Sequence, residues 1–384
     1  MKPARTPHSS KSTLLAARLK ALIARNGPIS VADYMEACLA DKDAGYYSSR
    51  QPIGADGDFI TAPEISQVFG ELLGLWAVAV WQSMGAPSSV TVAELGPGRG
   101  SLMSDAMRAW RSVPEFLGSV TVALVETSPV LREVQRTALY DAEIPVRWHD
   151  EVSELPPQPL ILIANEFVDA LPVRQLVWRE HEWRERCINI AARGGFAFCE
   201  GAPIANENLR QFGQTLMVPD GSILEIRPGV NQLMSALGAH AQVAPLAALI
   251  VDYGHEQTAC GDTLQAVSQH KFADPLDTPG EVDLTTHVDF AALKDAAAAQ
   301  GLVAYGPMPQ GAFLLKLGLE ARRDQLCGSA SAEQRQEIIS ATARLVDPAA
   351  MGLLFKALAL TSQGLAPPPP FEDVYQSTRV GHGD

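Results

Sequence analysis

The chain has 384 residues, enough for about two or three domains or one large elaborated one. Hydrophobic residues make up 47% of it and charged residues 19%, which excludes a disordered tail and a coiled coil. Thirty Lys and Arg against 44 Asp and Glu leave a net charge of −14, so nucleic acid is excluded as the main partner and a basic protein or peptide would be attracted.

Residues 1–32 carry Lys2, Arg5, Lys11, Arg18, Lys20 and Arg25 and no acid. That composition resembles a transit peptide, which would lead to the mitochondrial matrix. Leu14, Leu15, Arg18, Leu19, Leu22 and Ile23 also stand at helical spacing. An amphipathic helix over about 12–26, stopped by Asn26-Gly27-Pro28, is the preferred reading, with a bacterial cytoplasmic location. A second helix is expected over Ser30 to Leu39. Residues 46–66 read as a loop rich in Gly and Pro. Pro63 then opens a helix to about Met84, ended by Gly85-Ala86-Pro87. Residues 1–86 are expected to form an N-terminal helical segment and lid, and residues 87–384 the main domain.

A regular α/β rhythm follows. Val90 to Glu94 reads as a buried strand, Leu102 to Arg111 as a helix, Val120 to Val125 as a strand ending at Glu126. Pro129 opens a helix to about Tyr140, and Pro145 to His149 and Leu160 to Ala164 are further strands. Strands apolar on both faces that alternate with helices imply a parallel sheet covered on both sides. Residues 173–228 alternate in β fashion without a long helix and read as a β-rich insertion. A helix over about 229–240 leads to a fifth buried strand, Ala247 to Val251, ending at Asp252. Residues 255–287 form a loop long enough to suspect function. Val288 to Gln300 is helical. Leu302 to Tyr305 and Ala312 to Leu317 read as a terminal strand pair, followed by two helical segments and the stiff tail Ala366 to Pro370.

No apolar run reaches the roughly 18 residues that span a bilayer. The five cysteines, Cys38, Cys187, Cys199, Cys260 and Cys327, contain no C-x-x-C pair and read as buried small hydrophobes in a reducing compartment. The eight histidines show no metal-binding spacing, so no metal is expected.

The strongest local signal is Glu94-Leu95-Gly96-Pro97-Gly98-Arg99-Gly100, between a strand and a helix. Glycines there let a ligand approach the main chain, and the helix start offers free N–H groups. The spacing is G-x-G-x-G, so the dinucleotide fingerprint G-x-G-x-x-G is not met, and no nucleoside-triphosphate loop occurs. With its acid closing the strand, the turn resembles motif I of class I S-adenosylmethionine-dependent methyltransferases. In that fold an acid at the end of the second strand holds both ribose hydroxyls. Glu126 stands at that place, and an ionised carboxylate can take two O–H donors at once. Asp150, after the third strand, could meet the adenine amino group.

Longer stretches are more specific. Gly57-Asp58-Phe59-Ile60-Thr61-Ala62-Pro63-Glu64-Ile65-Ser66, Asn165-Glu166-Phe167-Val168-Asp169-Ala170-Leu171-Pro172, Asp252-Tyr253-Gly254-His255 and Asp283-Leu284-Thr285-Thr286-His287 resemble the MidA-like methyltransferase family, in family order, over about residues 12–365. The resemblance implies a class I α/β fold, Rossmann-like, with a mostly parallel seven-stranded sheet. It implies S-adenosylmethionine as cofactor and methyl transfer to arginine of a protein. In mitochondrial members that protein is a core subunit of respiratory complex I, and the members assist complex I assembly. A homodimer is also expected.

Asn165 and Glu166 follow the fourth strand at its C-terminal end, where ligands bind in open α/β sheets. A guanidinium stays charged and is a poor nucleophile, so an enzyme that methylates it must orient and polarise it, and carboxylates do both. Glu166 and Asp169, with Asn165 beside them, are the first candidates, and Glu64 and Asp252 stand behind them. The pattern departs from arginine methyltransferases that place two glutamates in this loop, and from the Asn-Pro-Pro-Tyr motif of many amino-group methylators. Glu94, Gly96, Gly98, Gly100, Glu126 and Asp150 are the cofactor candidates, with Asp58 or Thr61 at the methionine end. Phe59 is expected to pack in a lid over the cofactor. Tyr253-Gly254 is expected to let the chain pass close to substrate, with His255 and His287 nearby. Two other functions share these residues: an assembly factor that holds the cofactor with little turnover, and a small-molecule methyltransferase.

Overall fold

The computed structural model describes residues 9–49, 61–207, 209, 213–214, 217–268 and 271–372. Seven strands form the central sheet: β1 Val90–Leu95, β2 Val120–Val125, β3 Val146–His149, β4 Leu160–Asn165, β5 Leu246–His255, β6 Val303–Pro309 and β7 Phe355–Thr361. Their order is β6-β7-β5-β4-β1-β2-β3. The first five in sequence run parallel, and β7 is antiparallel to both β5 and β6. This is the expected mostly parallel sheet, with a short eighth strand, Val288–Asp289, beside the end of β5.

Every residue of β1 and β4 is buried, as strands covered on both faces must be. The side chains divide by alternation. Val90, Val92, Ile161, Ile163, Leu249 and Val251 enter the core under helices α3 (Gln67–Ser83) and α4 (Ser101–Trp110). Ala93, Leu95, Leu160, Leu162, Ala248 and Ile250 enter the opposite core, under α6 (Pro228–Ala241) and α7 (Phe290–Ala299). Helix α5 (Pro129–Ala138) follows β2. Gly74 lets α3 and α4 touch, since a Cβ there would lie 2.7 Å from the Ala106 Cα.

The N-terminal helices α1 (Ser9–Asn26) and α2 (Val31–Ala40) are not a separate layer. Ile29 and Ser30 pair antiparallel with Ile188 and Cys187 of the insertion, whose strands are Arg174–Arg179, Glu182–Ile190, Phe196–Pro203 and Ile223–Ile226. Leu15, Leu19 and Tyr34 share one core with Ile188, Ala266 and Leu284.

Three expectations change. Ala312 to Lys316 lies in helix α8 (Gln310–Lys316), with Leu317 as its C-cap, and the true partner of β6 is β7. A six-residue, mostly apolar stretch carries no period that separates strand from helix, and here Phe313 and Leu314 bury one helical face. The helices α9 (Leu319–Ser329) and α10 (Ala332–Val346) precede β7. The helix expected from Pro63 to Met84 breaks at Ser66, where φ is −155° and the side chain accepts from the Val68 N–H, so Ala62–Ile65 is a separate turn. The long loop of 255–287 contains a small antiparallel sheet of Gln265–Ser268, Lys271–Ala273 and Asp283–Thr285.

Candidate active site

Between β1 and α4 the chain turns through Gly96, Gly98 and Gly100 with φ of 58°, 53° and 85°. Residues with a side chain rarely adopt this left-handed region. Space matters as well, because a Cβ on Gly96 would lie 2.9 Å from the Phe167 ring. The Gly96 N–H donates to the Val125 carbonyl at 3.1 Å, which ties the turn to β2. Gly100 caps α4 without a side chain. The cleft above the turn is lined by Thr61, Glu64, Glu94, Asn165 and Glu166, with the Ser101 hydroxyl donating to Glu64. Burial pushes the Glu94 carboxyl up to about 8, and its Oε2 has no partner among the described residues.

Glu126 closes β2 and is buried. Its Oε1 accepts from the Ser128 N–H at 2.7 Å and its Oε2 from Gln135 Nε2 at 3.2 Å. Ser128, not Glu126, caps α5, through a 3.3 Å bond from the Leu131 N–H. Burial raises the Glu126 pKa, and its N–H partners only partly offset this. Arg132 donates to the Glu126 and His149 carbonyls and to Asp150 Oδ1 at 2.7 Å. Asp150 therefore sits at the surface in an ion pair, its side chain 66% exposed.

After β4, Glu166 takes φ of 49°, a strained conformation of the kind that clusters at active sites. Its N–H donates to the Val251 carbonyl at 2.9 Å, and its Oε1 accepts from the Ala62 N–H at 3.1 Å and Asn165 Nδ2 at 3.2 Å. Burial, with the Asp169 charge adding to it, pushes the Glu166 carboxyl up to about 7. Asn165 Oδ1 is buried without a partner among the described residues. Asp252 anchors this loop: its Oδ2 accepts from the Val168 and Asp169 N–H groups at 2.9 and 3.1 Å. Asp169 is buried behind Glu166, facing Tyr253 and Arg227, and does not line the cleft. Arg227 holds the back of the loop by donating to the Leu171 and Thr286 carbonyls, each at 3.2 Å.

The structure thus brings Glu94, Gly96, Gly98, Thr61, Asn165 and Glu166 to one cleft, with Gly100 ending its turn and Glu126 on the far side of that turn. Asp58, Phe59 and the rest of 57–60 lie outside the described residues. His255 and His287 line a different cavity of about 400 Å³, between residues 224–231 and 287–292. The close approach at Gly254 is to the Val288 main chain, where a Cβ would meet the carbonyl oxygen at 2.0 Å. Three residues of the site region carry no motif. Tyr47 bonds Asp283 at 3.0 Å, Arg227 backs the loop, and Gln135 joins Gly98 to Glu126. Only Gln135 left a trace, as a polar residue on the inward stripe Leu131, Gln135, Leu139.

Comparison with known proteins agrees with this geometry. Residues 72–308 match a family model described as S-adenosyl-L-methionine-dependent methyltransferase. A Drosophila melanogaster relative, named protein arginine methyltransferase NDUFAF7 homolog, mitochondrial, is 38% identical over 90% of this chain and 84% of its own. The Homo sapiens protein arginine methyltransferase NDUFAF7, mitochondrial, is 33% identical over 92% of this chain and 85% of its own. A crystal structure from Burkholderia thailandensis, bound to S-adenosyl-homocysteine, superposes with a TM-score of 0.81 at 28% identity, covering 95% of this chain and 96% of that one.

Proposed function

Because the chain belongs to the S-adenosyl-L-methionine-dependent methyltransferase family, we propose that its cleft presents an arginine of a protein partner to that cofactor, with Glu166 as the orienting carboxylate. The enzyme is a methyltransferase and S-adenosyl-L-methionine is its cofactor.

The observation that carries the reading is a group of buried acceptor atoms without partners among the described residues: Glu94 Oε2 and Asn165 Oδ1 at the cleft, and Asp169 Oδ1 behind it. Each such atom costs about 1–3 kcal/mol while it stays unpaired. Cationic donors relieve that cost, and both the cofactor and an arginine are cations. The glycine turn and the start of α4 offer main-chain groups at the same place. In this reading Glu126 holds the ribose hydroxyls, and Glu94 and Thr61 face the methionine end. Asp150 would reach the adenine amino group only by giving up part of its pairing with Arg132.

The cofactor supplies a methyl group on a sulfonium, open to direct in-line displacement. Glu166 orients the guanidinium and polarises it through charge-assisted hydrogen bonds. Its carboxyl, held near 7, accepts the proton that the methylated nitrogen gives up around neutral pH. Asn165 fixes the Glu166 carboxylate through Nδ2. Holding two reactants in line contributes about 7–11 kcal/mol to the rate.

The relatives' names supply the protein arginine. The family resemblance extends this to a core subunit of respiratory complex I, and the net charge of −14 suits a basic target. The mitochondrial location belongs to the relatives; for this chain the bacterial cytoplasm is the reading, with the mitochondrial matrix as the alternative. No described helix is long and apolar enough to cross a membrane.

Transfer of labelled methyl groups to a complex I core subunit, followed by analysis of the labelled residue, tests the reading. Glu166→Gln should keep cofactor affinity within about threefold and lower transfer at least about 100-fold. Unchanged transfer in that variant, or label on a residue other than arginine, would sink the proposal.

A further inference from the structure

Helix α5 buries one polar side chain, Gln135, which is fully covered. Its Nε2 lies 2.8 Å from the Gly98 carbonyl and 3.2 Å from Glu126 Oε2, and its Oε1 lies 2.8 Å from Trp148 Nε1. An indole N–H only donates. Trp148 therefore decides which end of the amide is oxygen, and both N–H bonds of Nε2 are left for Gly98 and Glu126. The three partners belong to the turn after β1, the end of β2 and the body of β3. One amide joins three neighbouring strands at the edge where the cofactor candidates stand.

We propose that Gln135 is a positioning residue of the cofactor site, which sets the spacing between the glycine turn and Glu126 and presents the Glu126 carboxylate to the ribose. The inference rests on the assignment of Glu126 to the ribose hydroxyls. A carboxylate carries about four acceptor sites on its two oxygens, so the donors from Ser128 and Gln135 hold it without exhausting it. Gln135 also packs beneath the turn, in van der Waals reach of the position a Gly100 Cβ would take. Without the amide, the Gly98 carbonyl and one Glu126 oxygen lose their buried donor together. Glu126 then protonates more readily, and a protonated carboxyl is a poorer acceptor for two hydroxyls.

The test is calorimetric titration of the full-length protein with S-adenosyl-homocysteine between pH 6 and 8.5. Gln135→Met should bind about tenfold more weakly, the loss of one charge-assisted hydrogen bond, and the deficit should grow as pH falls. Gln135→Glu should show the opposite slope. Its new carboxyl repels Glu126 when ionised and restores one donor when protonated, so affinity recovers as pH falls. Trp148→Phe keeps the amide but frees its orientation, and a loss of about two- to threefold is expected. Wild-type affinity and pH dependence in the Gln135 variants, even with a lowered Tm, would mark a packing role and overturn the inference. Should Gln135→Met fail to fold, the slope of Gln135→Glu and the affinity of Trp148→Phe decide it. Glu126→Ala separates the two levels. If it binds like wild type, the ribose assignment fails and the inference with it; if it loses binding while the Gln135 variants do not, only the inference fails.

Discussion

Glu94 combines burial with an unpartnered oxygen at the cofactor turn, and both follow from its place as the last inward residue but one of a fully buried strand. Its carboxyl is pushed up to about 8 by burial, whereas in the unfolded chain it ionises near 4.5. Between those values the unfolded state has released the proton and the folded state has kept it, so stability falls as pH rises from about 5 to 8. Glu94→Gln removes the titration. Thermal melts of the cofactor-free protein should show the variant gaining on wild type by about 1–3 kcal/mol between pH 5 and pH 8, while its cofactor affinity drops. An unchanged gap across that range would show that Glu94 is not held protonated. At this scale the sequence was informative wherever a residue sat next to a strand end. Glu94 and Glu126 were read from the strand–turn–helix context, and Asn165 and Glu166 from the C-terminal end of a buried strand. Asp169 was a candidate beside Glu166 because both sit in the turn after the fourth strand, and that place in the sequence does not show that the loop turns it toward Tyr253 and Arg227.

Among the elements, the contact of α3 with α4 carries the glycine turn. Trp110 of α4 donates to the Gly74 carbonyl at 2.9 Å, which holds the two helices at backbone distance. Gly74→Ala places a methyl 2.7 Å from the Ala106 Cα, and both helices must separate. Overpacking of this kind costs about 1–3 kcal/mol, and urea titration should show the midpoint falling by the corresponding amount without a change in slope. The parallel strands were legible because burial on both faces leaves an unbroken apolar run. Leu302 to Tyr305 was read as a strand and overlaps β6, but its partner β7 was not legible. Ala312 to Leu317 and Phe355 to Thr361 are both short, mostly apolar stretches that contain a lysine, and only pairing with β5 and β6 selects the second as the strand.

For the molecule as a whole, the N-terminal helices and the insertion share one core although some 150 residues separate them in sequence. Tyr34 sits in that core fully buried, with its hydroxyl donating to the Pro275 carbonyl at 2.8 Å. Tyr34→Ala should cost about 3–5 kcal/mol. Because the same core reaches Leu284, beside the Asp283 that Tyr47 bonds, the variant should also lower cofactor affinity; calorimetry beside thermal melts checks both. A stable variant with a wild-type melt would show that the N-terminal helices are dispensable to the fold.

The sequence by itself determined the α/β class, the parallel sheet, the cofactor turn and the acids that close the strands, since each is a local pattern of apolar period, glycine and neighbouring charge. Only the tertiary structure decided that Asp252 anchors the loop of Glu166, that Arg227 backs it, that Gln135 joins Gly98 to Glu126, and that Ile29 and Ser30 complete the insertion sheet. Those contacts link segments 9 to about 160 residues apart. A hydrogen bond between distant segments leaves no periodic trace in the chain, because its partners are chosen by packing and not by neighbourhood.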